Sequence, residues 1–134
     1  MAIVGIGSDL VEISRVAEAV AAGERGRRFV DRVFTDQERE FCESRAAGRG
    51  RSYAARFAAK EAVMKALGRS GPWGFPWREI EVVGGGRSAP SLRLHGRTRR
   101  RAEEMGAGRL HLSLAHGQDI ALASVVCEED PAGA

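Results

Sequence analysis

Hydrophobic positions along this chain switch between two periods, and the switches mark out its elements. Residues 2–8, "AIVGIGS", are β-prone and spaced by glycine, which predicts an opening strand. Side chains alternate along a strand, so Ile3, Gly5, Gly7 and Asp9 share one face and Val4, Ile6 and Leu10 the other. The second face is expected to enter a core. The first carries almost no side chain and is expected to leave an open slot ending in the Asp9 carboxylate. A helical period takes over next: Val16, Ala19 and Val20 give a helix its inner face, with Ser14 as the expected cap and Arg15 at its start. A second helical pattern runs from Glu24 to Val33. "FTDQEREFCES" predicts a third helix, in which Thr35 and Glu38 have the spacing of a capping box. "RAAGRGRS" reads as a loop, and Ser52 to Leu67 as the longest helix, rich in alanine, free of internal Gly and Pro, and stopped by Gly68.

Gly and Pro then make "GRSGPWGFPW" a loop, with Trp73 and Trp77 able to anchor it. "REIEVVG" and "SLRLHG" predict strands, Thr98 to Met105 a helix, and "LHLSLAHGQDIALASVV" two strands around a tight turn at Gly117–Gln118. In that hairpin Leu110, Leu112, Leu114 and His116 share a face, so spacing alone makes His116 a half-buried histidine that closes it. No internal repeat or linker interrupts the pattern. The expectation is one α+β domain over residues 1–128 and a frayed tail at 129–134.

The Ser52–Leu67 helix sets charges inside an apolar pattern. At about 100° per residue, Tyr53, Phe57, Met64 and Leu67 form one stripe, and Ala55, Ala59, Ala62, Val63 and Ala66 form another on roughly the opposite side. Both sides are therefore expected to be covered. Lys60 falls within the first stripe, Glu61 and Lys65 stack beside it, and Arg56 lies on its other flank. The plainer reading is a surface Glu–Lys pair with snorkelling stems. Yet a helix covered on two sides has little wet surface for charges, and ionised groups near a core need partners. An anionic ligand is one such partner: Lys and Arg suit the oxygens of a polyphosphate, and Glu61 can hold a Mg²⁺ that bridges them. Asp9 is the best second oxygen ligand elsewhere in the chain.

Composition narrows the class. A 43% hydrophobic and 29% charged chain of 134 residues is that of a soluble globular domain, and no apolar run approaches the length of a membrane span. The N-terminus shows no secretory signal pattern, so a cytoplasmic location is expected. Cys42 and Cys127 are far apart and lack metal-ligand spacing, which suggests reduced thiols. The net charge of +3 and pI near 9.4 come mostly from arginine in "ERGRR" and "GRTRRRAEE". This composition suits either a solvated surface or an anionic partner.

"GIGSDLVEISR", "RFAAKEAVMKALG", "WREIEVV" with "APSLRLHG", and "HLSLAHGQDIALASVV" together resemble the holo-acyl-carrier-protein synthases, small 4′-phosphopantetheinyl transferases, over nearly the whole chain. The resemblance implies a fold in which a small antiparallel sheet packs on a long central helix, assembled as a homotrimer with the site shared between neighbouring subunits. It implies transfer of the phosphopantetheine arm of coenzyme A to a serine of a carrier protein, with 3′,5′-ADP released, in fatty acid biosynthesis or a related pathway. By residue, it makes Asp9 and Glu61 the magnesium ligands and, with Lys65 at the pyrophosphate, the catalytic group. Arg56, Lys65, Gly68 and His116 become the coenzyme A contacts, His116 with a base-like role in some accounts. Arg15, Arg28 and Arg32, with Arg25 and Arg27 nearby, become the face for an acidic acyl carrier protein. Ser8 and Gly117 depart from the family's usual residues at their positions.

Attack of a serine on a phosphoryl centre needs charge stabilisation more than covalent help, which Mg²⁺ and Lys65 suit. Glu61, or a water that a carboxylate steers, is then the proton acceptor. Two other readings compete. A coenzyme A or nucleotide-binding module without catalysis would not need Asp9, Glu61 and Lys65 together. A nucleic-acid-binding protein would use the arginine clusters, but the chain lacks an RNA-binding aromatic motif or zinc-finger spacing, and Arg99–Arg101 share their helix with Glu103 and Glu104.

Overall fold

The structure, a computed structural model, describes residues 1–69 and 74–131. Its chain runs β1 (Ile3–Glu12), α1 (Ile13–Val20), α2 (Gly23–Val33), α3 (Asp36–Glu43), α4 (Arg49–Ala66), β2 (Ile80–Val83), β3 (Ser91–Leu94), α5 (Gly96–Glu104), β4 (Ala107–His116) and β5 (Ile120–Glu129). The architecture is α+β. An antiparallel sheet in the order β1-β5-β4 packs on α4, and β2 pairs with β3 in a separate two-stranded ladder. Thr35 caps α3 through the capping box that its sequence predicts: its hydroxyl accepts from Glu38 N, and Glu38 Oε1 accepts from Thr35 N.

Several boundaries move. α4 begins at Arg49 rather than Ser52, because a 3₁₀ turn at Ala46–Gly48 leads into it and Arg49 is tied back to Glu43 at 2.8 Å. Trp77 anchors its loop by stacking on Phe57, centroids 5.1 Å apart; Trp73 lies outside the described residues. β5 continues through Glu129, where a tail was expected, because Glu129 N donates to Ala2 O and its carboxylate accepts from Ala2 N. Residues 132–134 of that tail are outside the description. Ser14 is not the cap of α1. The N-cap is Glu12, which makes no side-chain capping bond, and Ser14 instead donates to Asp119.

β1 reverses the expected assignment of its faces. Gly5 and Gly7 turn toward α4, so closely that a Cβ on either would overlap the backbone oxygen of Ala66 or Ala62. Their missing side chains make room for the helix, not for a ligand. Ile6 and Leu10 point outward and are 69% and 60% exposed, while Val4 packs against the core as expected. Register carries this outer face across the sheet: Ile6 pairs with Val126, Ser8 with Ser124, and Leu10 with Leu122.

α4 is covered on both sides, as its pattern predicts. The cover divides along the helix and not by stripe: Ala58, Ala59, Ala62, Val63, Met64 and Leu67 pack with β2, β4 and β5, while Tyr53, Ala54 and Phe57 pack with Val16, Val20, Val30 and Phe34 from α1, α2 and the α2–α3 junction, so the expected Tyr53–Phe57–Met64–Leu67 stripe is split between two clusters. The two clusters meet at Val11 and Trp77.

Candidate active site

Asp9, Glu61 and Lys65 converge where β1 crosses the last turns of α4. Lys65 Nζ lies 2.9 Å from Asp9 Oδ1 and donates to Ser8 O at 3.1 Å. Glu61 sits one helical turn before Lys65, and its pKa is raised by burial first and by the Asp9 charge second, against the pull of Lys65. Two carboxylates from distant segments thus feel one another, and one ammonium acts on both. The donor set fits a hard divalent cation that takes one or two carboxylates and completes its shell with water and phosphate, and it is too sparse in nitrogen and sulfur for zinc. Among the described residues no cluster holds three or more His, Cys, Asp or Glu side chains placed for a metal. Gly68 ends the helix just beyond Lys65 with φ +80, a left-handed conformation that requires glycine. Arg101 Nε closes the helix end by donating to Leu67 O at 3.1 Å.

Lys60 leaves this group, against the expectation that an anionic ligand compensates it. Its ammonium is fully buried, 2.7 Å from Glu38 Oε1, and donates to Trp77 O and Ile80 O. Glu38 Oε2 accepts from Val82 N at 2.8 Å, so one buried ion pair joins α3, α4 and β2. Burial presses the Lys60 pKa down and Glu38 opposes it. The capping-box spacing accounts for one bond of Glu38, and no spacing in the sequence points to its bonds with Lys60 and Val82.

Arg56 and His116 belong to a different place. Arg56 is nine positions before Lys65, about 180° around the helix. With His116 it lines a cavity of about 830 Å³ whose walls also include Arg45, Arg51, Gly85 and Gly86, and no carboxylate among the described residues. Arg56 stacks over Phe41 at 3.9 Å and donates to Gly84 O at 2.7 Å, while its buried Nε has no hydrogen-bond partner. Burial lowers its pKa, so an anion beside it would restore what desolvation removes. His116 is exposed, not half-buried, because it stands at the open end of β4 opposite Ala121. Arg45 and Arg51 come from the stretch whose pattern predicts only a loop; the density of Arg in "SRAAGRGRS" and the three glycines at 84–86 are its signals in the sequence. Neither Asp9, Glu61, Lys65 nor Gly68 lines this cavity.

A third feature lies along α1. Arg15, Val16 and Ala19 form one wall of a groove of about 510 Å³, with Leu10, Ile120, Phe29 and Phe57 around it. On α2, Arg25 and Arg32 flank Phe29 within about 60° of arc, and Arg28 lies further round. These arginines are exposed. Arg27 turns away, toward a hollow that it lines with Arg39 and Arg49.

A sequence model of the 4′-phosphopantetheinyl transferase superfamily matches residues 5–123. A holo-[acyl-carrier-protein] synthase of Methylorubrum populi is 47% identical over 134 residues, an overlap of 96% of each chain. The solved holo-[acyl-carrier-protein] synthase of Neisseria meningitidis superposes with a TM-score of 0.80 at 30% identity, covering 96% of this chain and 100% of that one. That of Bacillus anthracis, in complex with CoA (3′,5′-ADP), gives 0.75 at 30% identity and covers 96% and 98%.

Proposed function

This chain belongs to the 4′-phosphopantetheinyl transferase superfamily, and from that premise we propose how its residues divide the reaction. The enzyme transfers the 4′-phosphopantetheine group of coenzyme A to a serine of an apo acyl carrier protein and releases 3′,5′-ADP. Asp9 and Glu61 hold a magnesium ion, which when bound supplies positive charge to the pyrophosphate. The observation that carries this assignment is the Asp9–Glu61–Lys65 cluster itself, with two carboxylates close enough that one raises the pKa of the other.

Lys65 is the counter-charge of the two carboxylates in the free chain. With a divalent cation held by the two carboxylates, its ammonium would be available to the phosphate oxygens and would stabilise the charge that grows on the departing 3′,5′-ADP. Glu61, whose proton affinity burial has raised, either takes the serine proton or orients the water that does. Arg56 and His116, with Arg45 and Arg51, bind the phosphates of the nucleotide half, and Gly68 lets it approach the end of α4.

The two groups of ligands lie on opposite sides of α4, so one coenzyme A spans them only if each site combines the Asp9 group of one subunit with the Arg56 cavity of the next. The exposed apolar residues of β1 outside the α1 groove, Ile3 and Ile6, support such an assembly, which we take to be a homotrimer. The acidic carrier docks on α1 and α2, guided by Arg15, Arg28 and Arg32, with an apolar side chain in the Phe29–Phe57 groove. Residues 1–129 form the transferase unit. We place it in the cytoplasm, in keeping with two buried free cysteines, and assign it to fatty acid biosynthesis.

Intact-mass analysis of an apo carrier after incubation with coenzyme A, Mg²⁺ and the enzyme tests the reading. The carrier is expected to gain one phosphopantetheine, and to gain none with Asp9→Asn or when Mg²⁺ is chelated. Full modification by Asp9→Asn would overturn the metal assignment, and sedimentation as a monomer at catalytic concentrations would overturn the shared site.

A further inference from the structure

The first turn of α1 is held by a residue from the other end of the chain. Ile13 N donates to Asp119 O at 2.9 Å, Ser14 N to Asp119 Oδ1 at 3.0 Å, and Ser14 Oγ to Asp119 Oδ2 at 2.8 Å. Glu12, at the N-cap position, contributes no side-chain bond, and the first turn of α1 has no acidic residue. Asp119 therefore supplies both what a cap supplies, an acceptor for orphan N–H groups, and the negative charge that a helix N-terminus favours.

Its position gives this cap a second consequence. Asp119 lies in the turn between β4 and β5, which Gly117 N closes on Ile120 O at 2.8 Å. The next residue, Ile120, lines the same groove as Arg15, Val16 and Ala19 of α1. One side chain thus ties the β4–β5 turn to the first turn of α1, and both contribute residues to the groove. α1 follows β1 without a connecting loop; Val16 and Val20 pack its body into the core, and the Asp119 bonds hold its first turn, where Arg15 sits. The same turn begins after His116, which lines the nucleotide cavity.

We propose that Asp119 is a positioning residue for the carrier protein, setting the width of the α1 groove and the aim of Arg15. This rests on the reading that the carrier docks on α1. Steady-state kinetics of the full-length enzyme with an acidic apo carrier, varying each substrate in turn, test it. Loss of an interaction of capping size amounts to about fivefold in an equilibrium, so Asp119→Ala is expected to raise KM for the carrier about fivefold, with kcat and KM for coenzyme A changed less than about twofold. Asp119→Asn keeps an acceptor for Ser14 N and is expected to recover most of the loss; Ser14→Ala is expected to show about a twofold rise.

Combined with Arg15→Ala, Asp119→Ala is expected to add less than the product of the single effects, because an arginine already misaimed has less to lose. Strict multiplicativity, or an equal rise in KM for both substrates, would mark a purely structural role and overturn the proposal. If Arg15→Ala raises KM for the carrier and Asp119→Ala does not, the proposal fails and the docking reading stands. If Arg15→Ala has no effect either, the docking reading itself fails. Should Asp119→Ala not fold, Ser14→Ala and Asp119→Asn decide, and a carrier KM unchanged in Ser14→Ala refutes the clamp.

Discussion

Replacing Lys60 by methionine separates the two roles that a lysine in the central helix can have. Met keeps the length of the stem and removes the ammonium that bonds Glu38, Trp77 O and Ile80 O at zero exposure. Glu38 retains its bonds from Thr35 N and Val82 N but becomes a buried carboxylate without a cation. Breaking one side of such a pair costs about 3–5 kcal/mol. At about 2.1 cal/mol/K per residue, a chain of 134 residues unfolds with an entropy of about 0.28 kcal/mol/K, so the midpoint should fall about 11–18 °C. Circular dichroism during heating and during urea titration measures both quantities. The double variant Glu38→Gln/Lys60→Met removes both charges and should recover part of the loss, since no uncompensated ion remains. Coenzyme A affinity of the folded single variant should be unchanged. A Lys60→Met protein within about 1 kcal/mol of its parent, well below the cost of a broken buried pair, would refute the structural account. If it were as stable but unable to bind coenzyme A, Lys60 would be a ligand cation after all.

Gly7→Ala should destabilise the fold by roughly 3 kcal/mol or more, because the added methyl meets the backbone of α4 at Ala62 and not a flexible side chain; an unchanged melting midpoint would mean that β1 and α4 stand further apart. Glu61→Gln should abolish turnover yet leave the protein at least as stable at neutral pH. The raised pKa of Glu61 means that the folded chain holds this proton to higher pH than the unfolded one, so its contribution is full below the unfolded value and is lost as pH rises through the folded value. Urea midpoints of parent and variant should therefore differ at neutral pH and converge as pH falls below the unfolded Glu value of about 4.3, and a variant less stable at neutral pH would contradict this sign. Arg28→Ala should raise KM for the carrier several-fold at low salt with kcat unchanged, and the difference should shrink as ionic strength rises; a salt-independent effect would point to packing instead of attraction.

Local chemistry made much of this protein legible in one dimension. Thr35 and Glu38 announce a helix start because a capping box is a contact between residues three apart, and Gly68 announces a stop because the next backbone conformation excludes a side chain. The double apolar stripe of α4 required cover on both sides, and it has it. Asp9 and Glu61 could be considered together in advance because each is a carboxylate set in an apolar or glycine-spaced pattern, and the fold brings them near enough for the Asp9 charge to act on Glu61.

What needed three dimensions was every question of which surface meets which. Alternation fixed that Gly5, Gly7 and Asp9 share a face of β1, but not whether that face was empty or filled, and it is filled by the α4 backbone. The charge count of α4 called for partners without saying which charge would find them inside the protein; Glu38 took Lys60, and Arg56 was left facing an open cavity about half a turn away from Lys65. Nor does any spacing tie Ser14 to Asp119. Periodicity and caps depend on residues within a turn of each other and are written along the chain, whereas the pairing of buried charges depends on distances that only the packed fold sets.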